Sequence, residues 1–335
     1  MRAIVKQGRS VRACRVPVPE PGPGEVLIRV EAAGICRTDI YVAQGKLPCA
    51  DPLILGHEFA GVVASCGADV HSFAPGDRVA AMPVIPCGAC VRCTGGMPEC
   101  CPHHQFLGVS RHGAFAEYVA VPAQVVHQLP PSLSFREGAY TEPVCASLAV
   151  LKASIKPGEN GLIHGENRIA ELTKRVLLTA GFPTVETRQM GESPPPETDA
   201  YDFVIETQPS SPAFDEMIRA VRPGGRIILK SRPAAPVAID LAAAVRKEVI
   251  FESVSYGTFP ESLEFLTRHD LADLLGQTHP LEDFVDAFAT DRAGENLKSF
   301  LSPGSGDADR GIATPSTFTS TDSAKPGIPV TAPCG

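Results

Sequence analysis

Cys36 and, downstream of it, Gly56-His57-Glu58 bring a thiol, an imidazole and a carboxylate into one stretch of chain. Zinc, a borderline-soft cation, prefers sulfur and imidazole nitrogen and also accepts a carboxylate oxygen. A catalytic zinc needs three protein ligands and one open position for its substrate. Asp39, three residues after Cys36, can accept the second imidazole N–H and so fix the tautomer and direction of the ring. An isolated Cys and an isolated His are usually core residues. Here Gly56 and Gly61 flank the His57-Glu58 segment and Asp39 is available behind it, so a metal is expected.

A second set has a different character. Cys87, Cys90 and Cys93 are followed, after seven intervening residues, by Cys101. Four thiolates close a tetrahedral shell with no vacancy, which is the structural arrangement, and a Gly/Pro-rich loop without a core of its own gains order from such a metal. Spacing selects Cys101 over its neighbour Cys100. The remaining thiols, Cys14, Cys49, Cys66, Cys100, Cys145 and Cys334, read as buried or incidental. Eleven cysteines, an odd number, in a chain whose first residues do not resemble a secretion signal argue against a disulfide framework.

The chain that must position these groups has 335 residues, 44% of them hydrophobic, enough for two cores. Its net charge of -8, with no basic cluster, argues against nucleic acid as a partner. No apolar run suggests a membrane span, and the opening residues alternate apolar and basic side chains like a first strand, so a cytoplasmic protein is expected. The first third alternates with period two, as in Val26-Leu27-Ile28-Arg29-Val30, between turns rich in Pro and Gly, which predicts a β-rich domain around the metal residues. From about residue 147 the texture becomes strand and helix in alternation: strands at 161–165, 184–187, 203–206 and 226–229, and helices at 169–179 and 215–221. That order predicts a doubly wound parallel sheet whose ligand crevice lies at the carboxyl ends of its strands. An amphipathic helix around Phe284-Phe288 and a short strand close the folded part, and the Ser/Thr/Pro/Gly-rich stretch 303–335 reads as a disordered tail.

With Gly34-Ile35-Cys36-Arg37-Thr38-Asp39, the Gly-His-Glu stretch, the four-cysteine lobe and Arg222-Pro223-Gly224-Gly225 in this order, the chain resembles the medium-chain, zinc-dependent alcohol and polyol dehydrogenases over roughly residues 1–302. The resemblance implies a GroES-like β-rich catalytic domain (1–146 with 271–302) and a Rossmann-type nucleotide-binding domain (147–270). It implies Cys36 and His57 as the first two ligands of a catalytic zinc, and a second, structural zinc in the lobe. The third catalytic ligand of sorbitol-type members matches Glu142 of Glu142-Pro143, with Cys145 as the weaker alternative. Glu58 matches a carboxylate that approaches the metal as ligands exchange, and Thr38 the hydroxyl that takes the alcohol proton. Tyr41 stands where some members end the relay with a histidine. The implied reaction interconverts a secondary alcohol, on a polyol, sugar or cyclitol, with its ketone by hydride transfer to NAD or NADP, in a dimer or tetramer.

One stretch departs from that pattern. A dinucleotide turn reads GxGxxG, with bare backbone where the pyrophosphate sits. Here it is Gly165-Glu166-Asn167-Arg168-Ile169-Ala170: Asn167 adds a side chain and Glu166 a negative charge. Asn tolerates left-handed backbone angles, and Arg168 can contact a phosphate, as can Arg37 and Lys298 at positions the family uses. Glu186 and Arg188 both lie about twenty residues on, where the ribose-binding residue is expected. Glu186 favours NAD, whereas Arg188 at the strand end tips the expectation to NADP. The alternative is a zinc protein without a hydride acceptor, doing proton transfer or elimination beside a carbonyl, or binding a ligand.

Overall fold

The computed structural model describes residues 1–233, 235–292 and 297–304, with the backbone of 317–319. The chain divides into two compact units, Met1–Glu142 with Leu266–Gly335, and Pro143–Phe265. The division falls after Glu142, within the helix Thr141–Leu148. No helix among the described residues is long and apolar enough to cross a membrane.

The first unit is built on β-sheets. Its largest sheet runs, edge to edge, through Val126–Gln128, Arg78–Ala81, Glu58–Cys66, Glu25–Gly34, Lys298–Ser302 and Leu275–Pro280, and Tyr118–Pro122 also pairs with Glu25–Gly34. The period-two pattern sends Val26, Ile28 and Val30 into one core, where Phe59, Val63, Phe115, Phe284 and Phe288 join them. Phe284 meets Phe288 edge-on at 5.7 Å, which ties the helix Phe284–Arg292 to this core. Central in the sheet, Gly34 pairs with Glu58 on one side and with Phe300 on the other. The carboxyl end of one strand, the start of a second and the middle of a third therefore meet beside Cys36.

A second sheet of this unit joins Thr317–Thr319, Ser10–Arg15, Arg2–Gln7 and Leu53–Ile54. Residues 305–316 and 320–335 of the expected disordered tail lie outside the described residues, but Thr317-Phe318-Thr319 forms an antiparallel strand on Ser10–Arg15. Two β-branched residues around an aromatic are an island of strand propensity within a Ser/Pro/Gly-rich stretch.

The second unit holds a five-stranded parallel sheet, in the order Val185–Arg188, Gly161–His164, Tyr201–Glu206, Val221–Leu229, Ile250–Ser253. Alternation along the strands covers both faces. Ile163, Phe203, Ile205 and Ile228 pack with Ala170, Val176 and Leu177 of the helix Arg168–Thr179. Leu162, Val204 and Ile227 pack with Ala213, Phe214, Met217 and Ile218 of the helix Ser211–Ala220. The sheet is therefore doubly wound, as the strand-helix alternation predicts. The strand Val221–Leu229 extends further than its expected limits, beginning ahead of the Pro-Gly-Gly turn, and the fifth strand, Ile250–Ser253, is not among those expected.

Candidate active site and metal centres

Cys36 precedes the helix Arg37–Ala43, and Asp39 in its first turn is fully buried. The Asp39 carboxylate organises the site. Its Oδ2 accepts the Cys36 amide at 2.9 Å, and its Oδ1 accepts the Gly56 amide at 3.2 Å and lies 3.0 Å from His57 Nδ1. That contact leaves Nε2 of His57 as the ligating nitrogen and fixes the ring, which also lies 5.3 Å from the Phe106 ring. Donor atoms of Cys36, His57 and Glu58 lie within 4.8 Å of one another. Burial pulls the His57 pKa down, but the charges of Asp39 and Cys36 outweigh it and hold the imidazole well above its ordinary value. This is the electrostatic signature of a place prepared for a cation.

Glu58 and Glu142 are both buried. Burial, followed by the neighbouring Glu142, pushes the Glu58 carboxyl up, while Lys298 acts against the rise. The Lys298 ammonium, almost fully buried, is ion-paired to Glu58 Oε2. Lys298, expected from the resemblance at a cofactor phosphate, is thus committed to Glu58, because the strand Lys298–Ser302 runs beside Glu25–Gly34 and not along the surface. Gly34 makes this possible: a Cβ there would stand 2.5 Å from Glu58 Oε2 and 2.7 Å from Lys298 Cε. The role of Gly34 had no signal in the sequence beyond its being a glycine at the end of a strand. Thr38 and Tyr41, one turn apart on the helix after Cys36, are half-buried, and Arg37 is exposed.

In the lobe, Cys87, Cys90, Cys93 and Cys101 bring their sulfurs within 4.8 Å of one another. The Cys87–Cys93, Cys90–Cys93 and Cys90–Cys101 separations are 3.9, 3.6 and 3.8 Å. Zinc–sulfur bonds of about 2.3 Å in a tetrahedron place sulfurs about 3.8 Å apart. The lobe therefore fits zinc. Cys101 is buried in this group, whereas Cys100 is exposed. Backbone N–H groups of Ala89 and Cys90 lower the Cys87 thiol to about 6, and burial with hydrogen bonds from Cys90 and Cys101 raises Cys93 to about 12. The short helix Val91–Thr94 buries nothing, so its order depends on these sulfurs.

The residues expected at a dinucleotide lie in the second unit, Arg37 and Lys298 excepted. Gly165 follows the strand Gly161–His164 with φ +125°, a conformation suited to glycine. Asn167 caps the helix Arg168–Thr179, its Oδ1 accepting the Ala170 amide at 3.0 Å, and Arg168 is the first helical residue. Arg188 ends its strand level with His164, while Glu186 sits level with Leu162. Glu186 accepts the Tyr201 hydroxyl at 2.7 Å, and burial together with that bond raises the phenol to about 12. The structure thus brings Arg188, and not Glu186, to the carboxyl edge of the sheet.

A β-rich unit carrying two clusters of zinc donors, and a doubly wound parallel unit, are the architecture of a two-domain metal-dependent dehydrogenase. The profile described as the alcohol dehydrogenase GroES-like domain matches residues 22–131. L-threonine 3-dehydrogenase of Bacillus velezensis is 30% identical over 349 residues, covering 90% of this chain and 99% of the relative. The enzyme of the same name from Deinococcus radiodurans is 28% identical, with 90% and 97% covered. A zinc-binding dehydrogenase from Sinorhizobium meliloti 1021, solved bound to NADP, superposes with a TM-score of 0.82 at 26% identity, covering 90% of this chain and 99% of its own. The chain belongs to the medium-chain zinc-dependent alcohol dehydrogenase family of oxidoreductases.

Proposed function

We propose that the protein oxidises a secondary alcohol to its ketone, and runs the reverse reaction, at a zinc held by Cys36, His57 and Glu142. The observation that supports this most is Asp39, which is buried and bonded at once to the Cys36 amide, the Gly56 amide and the His57 ring. The bond to the Cys36 amide also closes a capping box at the start of the helix Arg37–Ala43, while the bonds to Gly56 and His57 tie that helix start to the imidazole. Glu142 is chosen over Glu58 on charge. With Glu58 neutralised by Lys298, the Cys36 thiolate and Glu142 carboxylate together match a divalent cation, and His57 enters neutral.

Zinc bound there supplies a Lewis acid strong enough to bring a coordinated hydroxyl towards a pKa of about 7, as it does for water. The protein's own groups do the rest. Asp39 holds the imidazole with Nε2 forward. Thr38 accepts the substrate's proton, and with Tyr41 where some members have a histidine the outward relay is shortened. Glu58 stands by with its charge compensated and can move as ligands exchange. The lobe carries the second zinc of the chain on Cys87, Cys90, Cys93 and Cys101.

The Glu142-Pro143 resemblance favours a polyol, sugar or cyclitol. The relatives named for L-threonine favour a 3-hydroxy amino acid, which is also a secondary alcohol. Purified protein assayed for NAD and NADP reduction against a panel of sugars, polyols, cyclitols and hydroxy amino acids separates these, alongside metal analysis expected to give two zincs per chain. A protein with two zincs and no turnover on any secondary alcohol would overturn the proposal.

A further inference from the structure

On a doubly wound sheet a dinucleotide docks at the carboxyl ends of the strands, where the connections leave in opposite directions. Its pyrophosphate meets a glycine turn and a helix N-terminus, and its ribose a residue at the end of the next strand. In this chain that place falls between Gly161–His164 and Tyr201–Glu206, with Val185–Arg188 on the ribose side.

Both subsites are taken by the chain itself. The Asn167 amide donates to the Thr207 carbonyl at 3.3 Å and to Thr207 Oγ1 at 3.1 Å, while its Oδ1 holds the Ala170 amide. Thr207 Oγ1 in turn donates to the His164 carbonyl at 3.1 Å. The first turn of the helix is thereby stitched across the crevice to the end of the neighbouring strand. No slack remains under it, since a Cβ on Gly165 would stand 2.4 Å from Thr207 Oγ1. On the ribose side the Arg188 guanidinium donates to the Pro194 carbonyl of the connection 189–200. Gly191 of that connection donates to Glu216 Oε1 at 3.0 Å, and Glu216 Oε2 lies 3.1 Å from His164 Nε2. The charges add to the obstruction: Glu166 is exposed within the turn, and a buried carboxylate, Glu206, ends the strand beside it.

We propose that Asn167 is a latch closing the phosphate-binding turn, and that with the 189–200 connection drawn over the ribose position this chain binds a nicotinamide dinucleotide weakly until the latch is released. The inference rests on the proposed function only in taking a nicotinamide dinucleotide as the hydride acceptor. Removing the Asn167 side chain frees the Ala170 amide and the Thr207 edge for phosphate oxygens, so a substitution opens the site.

The test is calorimetric titration of the full-length, zinc-loaded protein with NADH and with NADPH, in the native form and in Asn167→Gly and Asn167→Ser. Both replacements serve as helix N-caps, so circular dichroism should show all three folded. Asn167→Gly should bind at least about tenfold more tightly than the native chain, a gain of about 1.4 kcal/mol. Asn167→Ser, which keeps a capping oxygen but cannot reach Thr207, should fall between. Native protein already binding in the low micromolar range, or Asn167→Gly binding no more tightly than native, overturns the latch and leaves the proposed function standing. Failure of every form to bind either dinucleotide, with zinc content unchanged, overturns both the latch and hydride transfer.

Discussion

Removing the Asp39 carboxylate should show how the catalytic metal site is held. Three donors converge on it, the amides of Cys36 and Gly56 and the His57 Nδ1–H; Asp39 has 0% exposure, the bonds to Gly56 and His57 are buried and that to Cys36 is partly so. Each orphaned buried donor costs about 1–3 kcal/mol. Asp39→Ala, with a small cavity that admits water to part of the set, should therefore lose about 3–5 kcal/mol of stability. Asp39→Asn is the sharper probe. Its carbonyl oxygen can still serve Gly56 and His57, but its NH2 then abuts the Cys36 amide, so one donor is orphaned and about 1–3 kcal/mol is lost. Because the ring is less firmly aimed and its partner no longer charged, zinc affinity at this site should fall about 10–100-fold. Urea denaturation of metal-free protein measures the first quantity, and competition with a chromophoric chelator the second. The lobe serves as internal control, since its four sulfurs do not involve Asp39. Native zinc affinity in Asp39→Asn, with the lobe intact, would refute the reasoning.

Three further perturbations have defined outcomes. Lys298→Met leaves the buried Glu58 charge uncompensated and should cost about 3–5 kcal/mol in chemical denaturation, while the double change with Glu58→Leu should restore most of it. Cys93→Ala should remove one zinc and leave the other, and should make the segment 87–101 the first site of proteolytic cleavage, since its short helix buries nothing. Glu206 has its carboxyl raised above the ordinary value of 4.5, chiefly by burial. The folded state therefore holds this proton more tightly than the unfolded chain, and stability falls as pH rises from the unfolded pKa through the folded one. Glu206→Gln, which retains an acceptor for the Ser231 amide, should be more stable than the native protein at neutral pH and show less of that decline in urea titrations from acid to neutral pH.

Local order made much of this protein legible. Period-two alternation in Glu25–Gly34 and the strand-helix rhythm after residue 160 determine the sheet types, because burial on one face or two leaves its mark on each segment separately. The four lobe cysteines are equally local: short spacing confines them to one loop, so residue type and number suffice to define a metal shell. The pairing of Cys36 with His57 through Asp39 is nearly so, since Asp39 lies in the turn that Cys36 begins.

Tertiary structure decided what depends on side chains distant in the chain. Lys298 is a basic residue in sequence and could serve any anion. Only the alignment of three strands at Gly34 pairs it with Glu58. Glu186 and Arg188 differ by two positions and look equivalent as ribose-side residues, yet the register of parallel strands sets one at the sheet's edge and gives the other to Tyr201. Asn167 shows the division most directly. Its replacement of a glycine is visible in the sequence, but whether that side chain points away from the crevice or closes it depends on Thr207, forty residues later, and on the strand order that places Thr207 beside it. A sequence records which groups are present and which neighbours lie within a turn; the pairing of buried charges and hydrogen-bond donors is settled by the packing that excludes water from them.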